Sequence, residues 1–175
     1  GFDGFDIFKP DPMYNDGMGS SQITDYRQNT YRRAIDTISD PEFVDMNLLS
    51  VPGLTNTGLT THMIDVCEER ADAMAVIDLP NVYKPFAEGI VSNRRDRVIG
   101  NATQAAQNLR TRQIDSSYGA TFFPWVQTQD APSGQLLWIP PSVAMMGVLA
   151  SSERQSQVWF APAGFNRGGL SDGAA

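Results

Sequence analysis

One histidine and one cysteine are the first candidates for chemistry in this sequence of 175 residues. A Ser-His-Asp site needs a histidine held between a serine and a carboxylate, and His62 has Asp65 three residues further along a predicted helix. A serine nucleophile favours a strained Gly-x-Ser-x-Gly turn. None of the candidate serines has that setting: Ser116, Ser117, Ser142, Ser151 and Ser152. We interpret His62 as a helix-surface histidine and predict no catalytic residue.

Cys67 lies on the apolar face of the same predicted helix. A lone cysteine cannot form an intramolecular disulfide, and no second histidine is available to activate it. We therefore predict that Cys67 is a buried packing residue.

Two loops could hold a ligand. The acids Asp3, Asp6, Asp11 and Asp16 miss the spacing of a calcium-binding loop. The loop 53–58 follows a predicted strand and precedes a helix, but it lacks the Gly-Lys-Ser and Gly-x-Gly-x-x-Gly patterns of phosphate binding. We predict neither a metal nor a cofactor.

Charge and hydrophobicity limit the partners. Thirteen basic and twenty acidic residues give a net charge of -7, which repels nucleic acid. No run approaches the roughly 20 apolar residues that cross a bilayer, so membrane insertion is not expected. Arg94, Arg95 and Arg97 form a basic cluster, typical of a solvated loop but also a candidate contact with acidic neighbours in an assembly.

The apolar pattern of the first half predicts a βαβ unit. A helix is expected over 24–38, a strand covered on both faces over 44–51, a helix from 59 to about 72 and a strand over 73–79. The helical crossover is long enough to make the two strands parallel. Residues 1–22, rich in Gly, Pro and Asp, are expected to form a loop or an arm on a partner surface.

The second half predicts a helix whose apolar stripe runs from Val98 to Leu109, a third core strand over 118–125 and a hairpin over 126–139. Pro140 and Pro141 begin a helix that continues to about residue 156, with Val143, Met146, Gly147 and Ala150 expected to face inward. The Gly-rich end, 159–175, is expected to be irregular.

Several sequence segments follow one another in a characteristic order. They are NLLSVPG at 47–53, CEERADAMAVID at 67–78, SYGATFFPW at 117–125, and WIPPS at 138–142 leading to WFAPAG at 159–164. Segments in this order resemble the phage tail sheath family. Together with the following Asn166-Arg167-Gly168-Gly169, they look most like sheaths of large contractile-tailed phages similar to the T-even group. The match in order extends over roughly residues 45–170.

The resemblance implies an α/β fold: a three-layer sandwich with a mainly parallel central sheet, similar to subtilisin without its protease chemistry, plus a β-hairpin. It implies a loop or arm at 1–22, a sheath core domain at 23–170 and the start of a further C-terminal segment at 171–175. Because the sequence opens with GFDGFD and no methionine, we expect a central piece of a longer protein.

The resemblance also implies a structural subunit of the virion that is not an enzyme. Sheath subunits assemble in the host cytoplasm into stacked helical rings around the tail tube protein, meet baseplate and tail terminator proteins, and contract to deliver the genome. Interface candidates are Arg94, Arg95, Arg97, Trp159, Phe160, Asn166 and Arg167. For Trp159 and Phe160, a position at the edge of the core is the more typical interpretation.

Two alternatives remain open. One is the sheath of a related contractile device, a tailocin or an extracellular injection system. The other is a hydrolase or nucleotide-binding enzyme on a doubly wound sheet.

Overall fold

The computed structural model of the protein describes residues 26–80, 102–134 and 136–170. Three predicted features lie outside these residues: the arm at 1–22, the basic cluster Arg94, Arg95 and Arg97, and the C-terminal segment at 171–175.

Helices and strands follow the predicted order, which confirms the mixed α/β class. The elements are α1 Tyr26–Thr37, β1 Leu48–Ser50, α2 Thr57–Arg70, β2 Met74–Ile77, α3 Ala102–Thr111, β3 Gly119–Thr121, β4 Val126–Gln129, β5 Leu136–Ile139 and α4 Pro141–Gln155.

Strands β1, β2 and β3 form a three-stranded sheet in that order, and both strand pairs are parallel. Leu49 pairs with Ala75, and Ile77 pairs with Thr121. The predicted βαβ unit is thus confirmed, with α2 as its crossover. The predicted hairpin is also confirmed, because β4 and β5 pair antiparallel around a turn in which Gly134 N–H donates to Asp130 O at 2.7 Å.

Helix α2 has a polar start, an apolar face and a defined end. The Asn56 side chain accepts a hydrogen bond from Leu59 N at 3.1 Å, and Ala71 ends the helix in a left-handed conformation. The buried face packs with residues of α1 and the sheet into one cluster, which includes Ile35, Leu49, Leu59, Met63, Ile64, Val66, Cys67, Ala75 and Ile77. Burying each large apolar side chain contributes about 1.5–3 kcal/mol, so this cluster is a main source of stability.

Strand β1 corrects one prediction. It spans only Leu48–Ser50, and its two faces are covered unequally: Leu49 is buried in the cluster with α2, whereas Leu48 is 38% exposed. Successive side chains of a strand point to opposite faces, so Leu48 faces away from α2. A short apolar run indicates that a strand is buried, but it does not show how completely each face is covered.

The third strand is also shorter than predicted, because β3 ends at Thr121. Pro124 lacks an amide hydrogen and cannot extend a ladder of backbone bonds. The buried Trp125 instead donates its indole N–H to Leu79 O at 2.9 Å, which joins the segments that follow β2 and β3.

Gly119 of β3 lies so close to α2 that a larger residue would be crowded. A Cβ at this position would lie 2.9 Å from Ile64 Cδ1 and 3.1 Å from Ile64 Cγ1. We expect Gly119→Ala to lower the free energy of unfolding by about 1–3 kcal/mol in urea denaturation, as overpacking of a core does.

Two variants make this prediction specific. Ile64→Val removes the crowded Cδ1, so the double variant should lose less stability than the sum of the two single variants. Gly147→Ala in α4 is the matched control, because a Cβ there meets nothing within 4 Å, and it should stabilise the helix. Additive effects at Gly119 and Ile64 would show that the crowding is not what matters.

Candidate subunit interface

Residues 156–170, here called the aromatic loop, follow α4 without forming a helix or strand. Their large apolar side chains are exposed: Val158 by 78%, Trp159 by 75% and Phe165 fully. The core-edge interpretation of Trp159 is therefore wrong. Exposed apolar groups in one segment are typical of an interaction surface.

Phe160 organises this loop. Its ring stacks on that of Trp159 with centroids 4.2 Å apart and an interplanar angle of 21°. The Arg167 guanidinium carbon lies 4.4 Å from the Phe160 ring centre, a cation–π contact. The structure thus brings together three of the predicted interface residues, while Asn166 is exposed beside them.

An open, mainly apolar cleft of about 420 Å³ adjoins the loop. It is bounded by β1, α4 and the aromatic loop, and it is lined by Leu48, Met146, Leu149, Ala150, Ser152, Glu153, Gln157, Val158, Phe160 and Pro162. The exposed face of Leu48 opens into this cleft. A concave apolar surface beside protruding aromatic side chains is suited to binding another macromolecule.

Sequence reasoning missed the cleft because it misassigned the faces of α4. Val143, Gly147 and Ala150, expected to face inward, are exposed, and Met146 is half-buried. The buried face instead carries Pro141, Ser142, Val148 and Ser152. Two buried serines hide this face from a search for apolar spacing.

Asp78 fixes the start of α4 against the sheet. It follows β2, is 1% exposed, and accepts three hydrogen bonds: from Gly53 N at 2.9 Å, Ser142 N at 3.1 Å and Ser142 Oγ at 2.7 Å. Pro140 offers no side chain to cap the helix, so Asp78 caps it from a distant part of the chain. Burial raises the pKa of Asp78, and the hydrogen bonds from Ser142 and Gly53 oppose this rise.

The residues considered for a Ser-His-Asp site form hydrogen bonds with other partners. His62 Nε2 donates to Asp36 Oδ1 at 2.6 Å and so joins α2 to α1, while Asp65 is exposed. Ser142 binds Asp78, a different carboxylate. These hydrogen bonds hold elements of the fold together, and among the described residues none joins His62 to a serine.

Cys67 is completely buried in the cluster with α2, as predicted. Burial also raises the pKa of its thiol, which lowers the reactive thiolate fraction. We expect a thiol reagent at pH 8 to modify the folded protein at least about 100-fold more slowly than the urea-unfolded chain, since reaction requires opening of the core. Equal rates in both states would contradict this packing.

No group of three or more histidine, cysteine and acidic side chains suited to a metal ion occurs in the ranges 26–80, 102–134 and 136–170. Within those ranges, no helix has the length and apolar content to cross a membrane.

Comparison with known proteins gives a consistent result. No family model matches the sequence. The chain is 25% identical over 158 residues to the tail sheath protein of Enterobacteria phage T4, covering 86% of this chain and 24% of that protein. It is 31% identical over 106 residues to the tail sheath protein of Salmonella phage ViI, covering 58% of this chain and 17% of that protein.

The chain thus spans about a quarter or less of the length of these curated relatives. Both relatives carry the same description, although they come from different phages. The similarity confirms the resemblance predicted from the sequence: this chain is similar to phage tail sheath proteins over most of its own length.

Proposed function

We propose that this chain is the core of a structural subunit of a contractile phage tail sheath. The observation that carries the proposal is the similarity to two tail sheath proteins, one of them over 86% of the chain. In this role the subunits polymerise into stacked rings around the tail tube and contract to drive genome delivery. The partners are other copies of the subunit, the tube protein, and baseplate and terminator proteins.

The proposed fold is a three-layer, subtilisin-like sandwich within residues 23–170. Two observations favour three layers. Leu49, Ala75 and Ile77 pack with α2, whereas Leu48, on the opposite face of β1, lines the cleft with Met146 and Leu149 of α4. Residues 1–22 are the proposed arm, and 171–175 are the start of a further segment.

A contracting sheath needs subunits that keep their shape while their mutual contacts change. Buried polar contacts support a rigid core of this kind. Asp78 joins β2, the turn after β1 and α4, and Arg70 joins the end of α2 to the segment after α1. Exposed apolar groups, by contrast, are concentrated in the aromatic loop, where contacts between subunits can form.

The sheath of a tailocin or an extracellular injection system would satisfy the same physical requirements, and genomic context separates it from a phage sheath. The proposed virion location and assembly in the host cytoplasm follow from the phage interpretation. A hydrolase is less favoured, because the described His62 and Ser142 bind different carboxylates.

Negative-stain electron microscopy of the complete gene product that carries this chain, expressed alone, tests the proposal. We expect hollow tubes built from stacked rings. Dispersed particles at every salt and protein concentration would contradict a sheath function, and the protein would then be screened for hydrolase activity.

A further inference from the structure

We infer that the aromatic loop of one copy of this chain seats in the cleft of a second copy. The inference rests on the proposed function, since sheath subunits must bind one another, and it specifies which surfaces meet. The protruding group consists of Trp159 and Phe165, and the receiving surface is the cleft between Leu48 of β1 and Met146, Leu149 and Ala150 of α4.

The two surfaces differ in shape, which makes the contact head-to-tail. Trp159 and Phe165 project into solvent, whereas the 420 Å³ cleft has room for an aromatic side chain. Neither projecting residue lines the cleft of its own chain. When different patches of identical molecules bind each other, the contact repeats along an open polymer and is not restricted to a closed dimer.

The available area agrees with a contact that is specific but weak. Trp159 and Phe165 together offer on the order of 350 Å² of surface, given about 150–250 Å² for a whole aromatic side chain. A stable interface of standard size uses about 800 Å² from each partner. One contact alone is therefore expected to form reversibly, and an assembly gains stability from many such contacts together.

Preorganisation and charge also favour the aromatic loop of a second copy as the group that binds in the cleft. Stacking against Phe160 holds the Trp159 ring in place before binding, which reduces the entropy lost on association. The projecting loop carries a cation, Arg167, and the cleft wall carries an anion, Glu153. In a head-to-tail contact these charges come from different copies and attract, although the chain as a whole is acidic.

Sedimentation velocity of the 175-residue chain tests the inference. Between about 10 µM and about 1 mM, we expect the average sedimentation coefficient to rise with concentration, as for an interface below the standard size. Two variants should each remain monomeric: W159S/F165S, which lacks the projecting groups, and A150R, whose long side chain occupies the cleft and whose cation repels Arg167 of the incoming loop. F43S is the control, because Phe43 is 75% exposed but does not line the cleft.

Mixing the two defective variants gives the sharpest result. A150R keeps its projecting loop and W159S/F165S keeps its cleft, so a 1:1 mixture should form a heterodimer and no larger species. Any one of three results would overturn the inference. The parent chain could remain monomeric, either variant could associate as strongly as the parent, or the mixture of folded variants could remain monomeric.

The same variants separate this inference from the proposed function. If the complete gene product forms tubes and its W159S/F165S variant forms them equally well, the inference is wrong while the sheath function stands. The complete gene product could also fail to form tubes while the 175-residue chain self-associates and the two variants form a heterodimer. In that case the contact stands and the sheath function is wrong.

Discussion

Replacing Asp78 with alanine is expected to lower the free energy of unfolding by about 3 kcal/mol, measured by urea denaturation. The substitution leaves the buried amides of Gly53 and Ser142 without their acceptor. An unsatisfied buried donor costs about 1–3 kcal/mol, and relief from burying a charge offsets part of the total. The lost cap of α4 adds to the effect.

A graded set of variants identifies the source of this loss. Ser142→Ala removes only the hydroxyl bond to Asp78 and should cost about 1 kcal/mol. Asp78→Asn has the right shape, but its amide group would face a backbone donor, so its cost should fall between these two. Asp115→Ala, at an exposed position, should change stability by less than about 0.5 kcal/mol. An Asp78→Ala protein as stable as Asp115→Ala would contradict this role.

The raised pKa of Asp78 determines how its contribution to stability changes with pH. Its carboxyl group binds a proton more tightly in the folded state, so its contribution to stability is greatest below the unfolded pKa of about 3.9. This contribution decreases as pH rises to the folded pKa and is constant above it. A carboxyl-carbon NMR titration should therefore give a midpoint above the ordinary range, whereas a midpoint at or below it would show that the three hydrogen bonds outweigh burial.

Replacing Arg70 with methionine is expected to lower the Tm by about 10 °C, mainly because two carbonyl groups lose a charged donor. The guanidinium group donates to Ile38 O and Val44 O, both at 2.7 Å. It also makes a bidentate contact with Asp72 at 2.8 and 2.9 Å. Methionine keeps the apolar stem but leaves both carbonyl groups without this donor.

Asp72→Asn separates the carbonyl contacts from the ion pair. Asp72 is 40% exposed, so its ion pair is partly screened and its loss should lower the Tm far less than Arg70→Met does. Arg70 lowers the pKa of Asp72, so the stability from this pair is present above the ordinary carboxyl pKa and is lost as pH falls through the folded value. Equal losses in the two variants, compared by thermal unfolding, would show that the ion pair dominates.

The sequence was most informative where one physical signal acted alone. Helix α2 was predicted because its apolar positions recur at helical spacing and Pro52-Gly53 separate it from β1. The hairpin was predicted from the turn residues between two apolar runs. Both depend on local chemistry, so no knowledge of distant contacts was needed.

The candidate interface depended on contacts that no local pattern encodes. The hydrogen bonds between Asp78 and Ser142 join positions 64 residues apart and turn a serine-bearing face of α4 inward. That orientation leaves Val143 and Ala150 outward, opposite to their apolar character. A clue was available, however: an aspartate directly after a buried strand must find donors, and the first turn of a proline-initiated helix supplies them.

The Asp78 contacts also define a force path through the molecule. A pull on the aromatic loop travels along α4 to Ser142, which is anchored to Asp78 by two hydrogen bonds. From Asp78 the load enters β2, which is flanked by β1 and β3 in the parallel sheet. Tension on the aromatic loop is thus transmitted to β2, the middle strand of the three-stranded sheet in the described residues.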